Sequence, residues 1–259
     1  MKLDCIVSAC NMNPLYCDFI PPFINAWKTL YPDVDVRIIL ISDVLPTELQ
    51  QYSEHIILFA PLPDVSTSLT SQYIRLLYPC ILNYANGIMI TDIDMLPMNS
   101  KYYTKNIEPF DNTKFIYLRN VCFEYEEIAM CYNVGLRQTW ADIFNIHTLE
   151  DITTRITDVS KRIVYLEGHG NVGWNTDQKD FFKHVVEWNN KTNNFVFLDD
   201  RKTGYMRLDR MHRHTVEMPP ELQMAIHKGL FSDYHCLRPY SDYKELNDYI
   251  VSLLNIEHS

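Results

Sequence analysis

Three short, largely apolar runs dominate the N-terminal part of the chain: Cys5-Ile6-Val7-Ser8-Ala9, Val36-Arg37-Ile38-Ile39-Leu40-Ile41 and Gly87-Ile88-Met89-Ile90. Each reads as a buried strand. A fourth, His55 to Phe59, lies between the second and third. Helical patterns fill the intervals. Asp18 to Leu30 carries Phe19, Ile20, Phe23, Ile24 and Trp27 at helical spacing, Pro46 to Tyr52 is a short helix opened by proline, and Thr70 to Tyr84 repeats Tyr73, Leu76, Leu77 and Cys80, with a kink expected at Pro79. Strands separated by helices of this length require parallel crossovers. The predicted fold is therefore α/β, with a mostly parallel, doubly wound, Rossmann-like central sheet flanked by helices.

The second half is less regular. Lys114 to Leu118, Ile128 to Tyr132 and Phe195 to Leu198 read as strands, and Leu136 to Phe144, Asp151 to Tyr165, Thr176 to Trp188 and Tyr243 to Leu254 as helices. Long loops are expected at Glu167 to Asn175 and Lys202 to Pro220, where binding loops are often found. No repeat or linker divides the 259 residues. They read as one domain, with a nucleotide-binding half at 1–98 and an acceptor-binding, cleft-completing half at 99–259. At 47% hydrophobic residues the chain can build a core without disulfides, and its seven scattered cysteines, with no CxxC pair, read as reduced and structural.

Charge narrows the function classes. A net charge of −10 disfavours sequence-independent nucleic-acid binding, which needs a cationic surface. With only seven glycines there is neither a GxGxxG nor a P-loop pattern. No apolar run reaches the ~18 residues of a membrane span, and the start of the chain does not resemble a signal peptide, so a cytoplasmic location is the expectation.

The feature richest in chemistry is Ile90-Thr91-Asp92-Ile93-Asp94-Met95-Leu96-Pro97. It places two carboxylates where a buried strand ends, the edge at which parallel sheets collect ligands. Such oxygen donors suit Mg²⁺ or Mn²⁺, which also bridge phosphates. A solvated turn is the plainer alternative. Upstream, Arg75 on an otherwise apolar helix either reaches a nucleotide or carboxylate, or snorkels to the surface.

Together these segments resemble a family. Tyr73-x-Arg75-Leu76-x-x-Pro79 followed by Asp92-Ile93-Asp94 resembles the GT-A fold nucleotide-sugar glycosyltransferases, and most of all their retaining glycogenin and galactosyltransferase-like group. Three further segments occur in that group's order: Tyr132-Asn133-Val134-Gly135, Trp174-Asn175-Thr176-Asp177-Gln178 and His235-Cys236-Leu237-Arg238-Pro239-Tyr240. The resemblance spans Cys5 to Tyr240. It implies transfer of a sugar from a UDP-sugar to an acceptor hydroxyl on a glycan or glycoprotein, with retention. It implies Mn²⁺ or Mg²⁺ held by Asp92, Asp94 and His235, with His227-Lys228-Gly229 as a rival for the last motif. Nucleotide-sugar contacts would come from Ala9, Asp43, Arg75, Asp92, Asn133, Gly135 and Arg238. Asp177 and Gln178 would stand at the reacting sugar, although capping a helix is the simpler role for Asp177.

The residues also bear on other functions. A sugar nucleotidyltransferase would show a Gly-rich basic loop after the first strand, where Ser8-Ala9-Cys10-Asn11-Met12-Asn13-Pro14 has neither feature. A catalytically inactive sugar- or nucleotide-binding module is the non-enzymatic alternative. His212, His214, His227 and His235 invite a zinc reading, but no HExxH supports it, and Arg210 to His214 reads better as a polar loop facing acceptor or phosphate.

Overall fold

The computed structural model describes residues 1–210 and 218–254. Its strands are β1 (Leu3–Asn11), β2 (Asp35–Ile41), β3 (Ile56–Phe59), β4 (Gly87–Ile90), β5 (Met95–Pro97), β6 (Phe115–Tyr117), β7 (Asn133–Gly135), β8 (Phe195–Phe197), β9 (Met206–Asp209) and β10 (Phe231–His235). The helices are α1 (Pro14–Cys17), α2 (Ile20–Leu30), α3 (Thr67–Leu77), α4 (Tyr102–Lys105), α5 (Arg137–Phe144), α6 (Leu149–Arg162), α7 (Thr176–Thr192), α8 (Asp200–Thr203), α9 (Pro220–His227) and α10 (Lys244–Ser252).

Seven strands form the central sheet in the order β3-β2-β1-β4-β7-β6-β8. All its pairings are parallel except those of β7, which runs antiparallel to both β4 and β6. This is the mostly parallel, helix-flanked sheet that the apolar runs predict. Side chains alternate across it with the two-residue period of a strand. Ile6 and Cys10 of β1, with Val36, Ile38 and Leu40 of β2, enter one core beside α2. Cys5, Val7 and Ala9, with Ile39 and Ile41, enter the other beside α3 and α5. Because both faces are covered, the central strands are apolar throughout. Residues 1–98 and 99–259 share this sheet, since β4 pairs with β7. A smaller sheet, β5-β10-β9, joins β5 of the first half to two strands of the second.

Several local expectations are corrected. The helix expected at Thr70 to Tyr84 runs from Thr67 to Leu77 and ends in a single 3₁₀ turn at Tyr78–Cys80, because Pro79 can donate no helical hydrogen bond. Ile128 to Tyr132 is not a strand, and pairing begins at Asn133. The expected loop after Lys202 contains β9, and the segments before and at the last motif form α9 and β10. No helix among the described residues is long and apolar enough to cross a membrane.

Gly135, expected at the nucleotide, is instead a packing residue. It is buried in β7, and a Cβ there would stand 2.8 Å from the Phe115 ring. That ring cannot easily give way: it meets Trp140 edge-on at 4.8 Å and lies 5.9 Å from Phe181. Overpacking of this kind costs about 1–3 kcal/mol. Gly135→Ala should therefore lower stability by about that amount in urea denaturation. An unchanged midpoint would show that Phe115 yields freely and would remove the packing role.

Candidate functional site

The carboxyl ends of β1 and β4 open into a cleft. It is lined by Ala9 and Cys10 of β1, Tyr16 of α1, Ser68, Ser71, Gln72 and Arg75 of α3, Asp92, Ile93 and Asp94 between β4 and β5, and Met95 at the start of β5. His169, Trp174 and Gln178 come from the loop and helix of the second half, His235 from the end of β10, and Arg210 and Arg238 from the residues that follow β9 and β10. Chain topology explains the meeting. The segment Thr91–Asp94 carries the backbone from the large sheet into the small one, and β10 runs antiparallel to β5 with His235 opposite Met95. The Cys236 amide donates to the Asp94 carbonyl at 2.9 Å, which seats the end of β10 on the aspartate.

Asp94 is the centre of the charge cluster. Its Oδ2 lies 3.1 Å from an Arg210 guanidinium nitrogen, 3.5 Å from Arg238 and 3.5 Å from His235 Nε2. Burial alone would raise this carboxyl, but the His235 hydrogen bond and the charges of His235, Arg210 and Arg238 outweigh it and hold Asp94 well below the usual carboxylate range. Arg238 also donates to the Tyr16 hydroxyl at 2.9 Å and lies over its ring at 5.1 Å. On the other ring nitrogen, His235 Nδ1 is 3.1 Å from Asp209 Oδ2. That contact orients the ring and aims Nε2 at Asp94.

Arg75 forms a second cluster. Buried on α3, it is shared by the carboxylates of Asp92 and Asp177, the latter at 3.1 Å. Asp177, in the first turn of α7, is 1% exposed, and its other oxygen accepts from the Gln178 amide at 2.9 Å. Burial pushes its pKa up to about 6, against the lowering pull of Arg75 and of that amide.

The predicted residues divide accordingly. Ala9, Arg75, Asp92, Asp94, Gln178, His235 and Arg238 line one cleft. Asp177 does not reach the cleft surface; it stands behind Arg75, and its neighbour Gln178 is the residue presented. Asn133 is fully buried, its amide nitrogen donates to the Ala129 and Met130 carbonyls, and it is not part of the cleft lining. Asp43 is exposed beyond the end of β2 and is not part of the cleft lining. His227 ends α9 on the surface, outside the cleft lining, whereas His235 stands beside Asp94. His212 and His214 lie outside the described residues. Sequence reasoning missed Asp209, Tyr16, Gln72, His169 and Trp174. His169 and Trp174 fall in one of the two long loops expected to bind and Asp209 in the other, and the pattern Arg207-Leu208-Asp209 alternates like a half-buried strand; Tyr16 and Gln72 carry no such signal.

No family model and no curated relative matches this sequence. Among solved structures, the chain is similar to a galactosyltransferase, LgtC, in complex with donor and acceptor sugar analogs. The identity is 10% over 98% of each chain, with a TM-score of 0.49. It is also similar to the apo-form glycosyltransferase GlyE of Streptococcus pneumoniae, at 12% identity and a TM-score of 0.45, over 77% of this chain and 46% of that one. At such identities a shared course of the backbone assigns no residue a role.

Among the described residues, no group of three or more His, Cys, Asp or Glu side chains is close enough to hold a metal ion by itself. Asp94 and His235 nevertheless present an oxygen and an oriented ring nitrogen to one another across 3.5 Å, while Asp92 is turned to Arg75. Two protein donors suffice for Mg²⁺ or Mn²⁺ where substrate phosphates and water complete the shell. Asp94 and His235 are the two side chains of the cleft that could hold such an ion.

The Asp177 environment has a measurable consequence. A carboxyl whose folded pKa lies above its unfolded value of 3.8 binds its proton more tightly when folded. The stability it contributes is fully present below pH 3.8 and is lost as pH rises through about 6. The stability difference between the native chain and Asp177→Asn should therefore change by about 2–3 kcal/mol between pH 4 and pH 6.5, with the native chain losing relative stability as pH rises. Denaturant titrations of both proteins across that window check this, and a flat difference would contradict the burial-dominated environment.

Proposed function

We propose that the cleft binds a nucleoside-diphosphate sugar, UDP-linked, and transfers its sugar with retention to an acceptor hydroxyl on a glycan or glycoprotein in the cytoplasm. The observation that carries this reading is the charge cluster on Asp94. Arg210, Arg238 and His235 gather at the carboxyl end of the sheet in a protein of net charge −10. Four carboxylates (Asp92, Asp94, Asp177 and Asp209) stand among three guanidiniums there. A diphosphate entering such a site needs more positive charge than the described side chains supply, which favours a divalent cation. Mn²⁺ or Mg²⁺ would be held by Asp94 and His235, and when bound it would stabilise charge on the leaving diphosphate.

The remaining steps belong to the chain's own groups. Arg210 and Arg238 bind the phosphates, and arginine's planar fork suits phosphate oxygens. Tyr16, beside Arg238, flanks the nucleotide together with Ala9 and Cys10. Gln178, at the head of α7, stands where the transferred sugar meets its acceptor. Asp92 and Asp94 are both engaged by arginines, so neither is a free nucleophile or base; the acceptor proton then passes to the departing phosphate oxygen on the face from which the diphosphate leaves, the geometry of retention. The loop Asn11-Met12-Asn13-Pro14 is not Gly-rich, and Asn13 caps α1, which disfavours nucleotidyl transfer.

Titration calorimetry tests the donor assignment. UDP should bind in the presence of Mn²⁺ and more tightly than ADP or GDP. Asp94→Asn should weaken metal-dependent UDP binding by about tenfold or more. Unchanged binding in a variant with a native melting profile would sink the metal assignment, and tighter binding of ADP or GDP would overturn the choice of base. NMR of the first-formed product reads the stereochemistry, and an inverted anomer would refute retention.

A further inference from the structure

The cleft has a second wall that phosphate chemistry leaves unused. Ser68, Ser71, Gln72 and Arg75 all line the cleft from α3, at spacings of three, four and seven residues that place them on one helical face. Arg75 ends this stripe at the carboxylates. Its other end meets the loop that precedes α7. The Ser68 and Tyr165 hydroxyls are 2.8 Å apart, Gln72 Nε2 donates to the Trp174 carbonyl at 3.2 Å, and Asn13 Nδ2 donates to Glu167 at 2.9 Å. The loop turns through Gly173 at φ +81, where a Cβ would collide with the Val164 carbonyl oxygen. Pinned in this way, it brings His169 and Trp174 to the cleft, with ring centroids 6.4 Å apart.

Trp174 differs from the other three tryptophans. Trp27 and Trp140 are fully buried and Trp188 is 9% exposed, whereas Trp174 is only partly buried and lines a polar cleft. An indole held at such a wall offers an apolar face to the C–H side of a pyranose ring. Ser71 and Gln178 offer hydroxyl and amide groups to its hydroxyls. Gln72 adds a further acceptor. It is 7% exposed, its Nε2 is taken by Trp174, and its Oε1 has no partner among the described residues. A hydroxyl admitted between α3 and the loop would satisfy it. We infer that Ser71, Gln72, His169, Trp174 and Gln178 form the subsite for the acceptor's pyranose ring, with Trp174 as its stacking platform.

The word acceptor rests on the transferase reading, and the experiment keeps the two separable. With the other tryptophans in the core, intrinsic fluorescence reports ligands at Trp174. The full chain, saturated with UDP and Mn²⁺, is titrated with the methyl glycosides of glucose, galactose, mannose and N-acetylglucosamine. At least one should change the emission at millimolar concentration. Trp174→Phe should abolish that change, and Trp174→Ala should weaken glycoside binding in calorimetry about tenfold while leaving UDP affinity within about twofold. Trp174→Phe, which keeps an aromatic ring, guards against a variant that merely misfolds. Silence at Trp174 from every glycoside, with UDP bound, overturns the subsite. A signal given by UDP-glucose or UDP-galactose but by no free glycoside also overturns it, because the wall would then belong to the donor sugar. Failure of UDP to bind at all would count against the donor reading, and the glycoside signal would then decide the subsite by itself.

Discussion

A buried carboxylate must be paired, and in this molecule that requirement falls on Asp94. It is 4% exposed at the step between two sheets. Left unpaired, such an ion would cost several kcal/mol, a large share of a domain's net stability. Its partners come from three places distant in sequence: Arg210 after β9, His235 at the end of β10, and Arg238 beyond it. The folding constraint and the functional one therefore coincide. The interactions that hold the small sheet against the large one are the same ones that gather positive charge at the mouth of the cleft.

Behind that cluster the small sheet is stiffened by a second ionic group. Asp233 is fully buried and shared by Arg119 at 3.2 Å and Arg207 at 2.7 Å. In the β9–β10 ladder Asp233 stands opposite Arg207 and His235 opposite Asp209, so an ion pair and a histidine–carboxylate contact lie one above the other along the same pair of strands. Breaking a buried pair of this kind by removing one partner typically costs about 3–5 kcal/mol. His235 is thus aimed at Asp94 both by its own contact to Asp209 and by a ladder whose register the Arg207–Asp233 pair fixes.

These pairs also show what could be read from the sequence. The large sheet was legible because its central strands are buried on both faces and so are written in apolar residues, as in Ile38 to Ile41 or Ile88 to Ile90. The small sheet was not, because its strands bury charge instead. In Phe231-Ser232-Asp233-Tyr234-His235, Ser232 and Asp233 are both fully buried, yet an aspartate without its distant arginine reads as surface. The site divides in the same way. Asp92, Asp94 and Arg75 were found because a strand end and an apolar helix make charged residues conspicuous. The sequence does not show that Arg75 stands in front of Asp177, that Gly135 packs against Phe115, or that the Asn133 amide nitrogen is taken by the Ala129 and Met130 carbonyls, because each of these contacts joins segments distant in the chain or turns on the local course of the backbone.

The Arg75 cluster links the two walls of the cleft. Asp92 belongs to the strand end that carries Asp94, and Asp177 to the helix start that carries Gln178, with Trp174 just ahead of it. One guanidinium on α3 holds both carboxylates, while Gln72, three residues earlier on the same helix, holds the Trp174 carbonyl. Side chains three apart on a helix move together because the backbone between them is fixed by hydrogen bonds. The spacing between the phosphate-facing residues and the aromatic wall is therefore set by a single turn of α3. That turn is buried on its opposite face by Leu69, Tyr73 and Leu76. Such a helix turn has little freedom to adjust, because its packing, and not a loop, determines where it sits. The cleft thus presents two chemically different surfaces, one charged and one aromatic, at a separation fixed by a single packed helix.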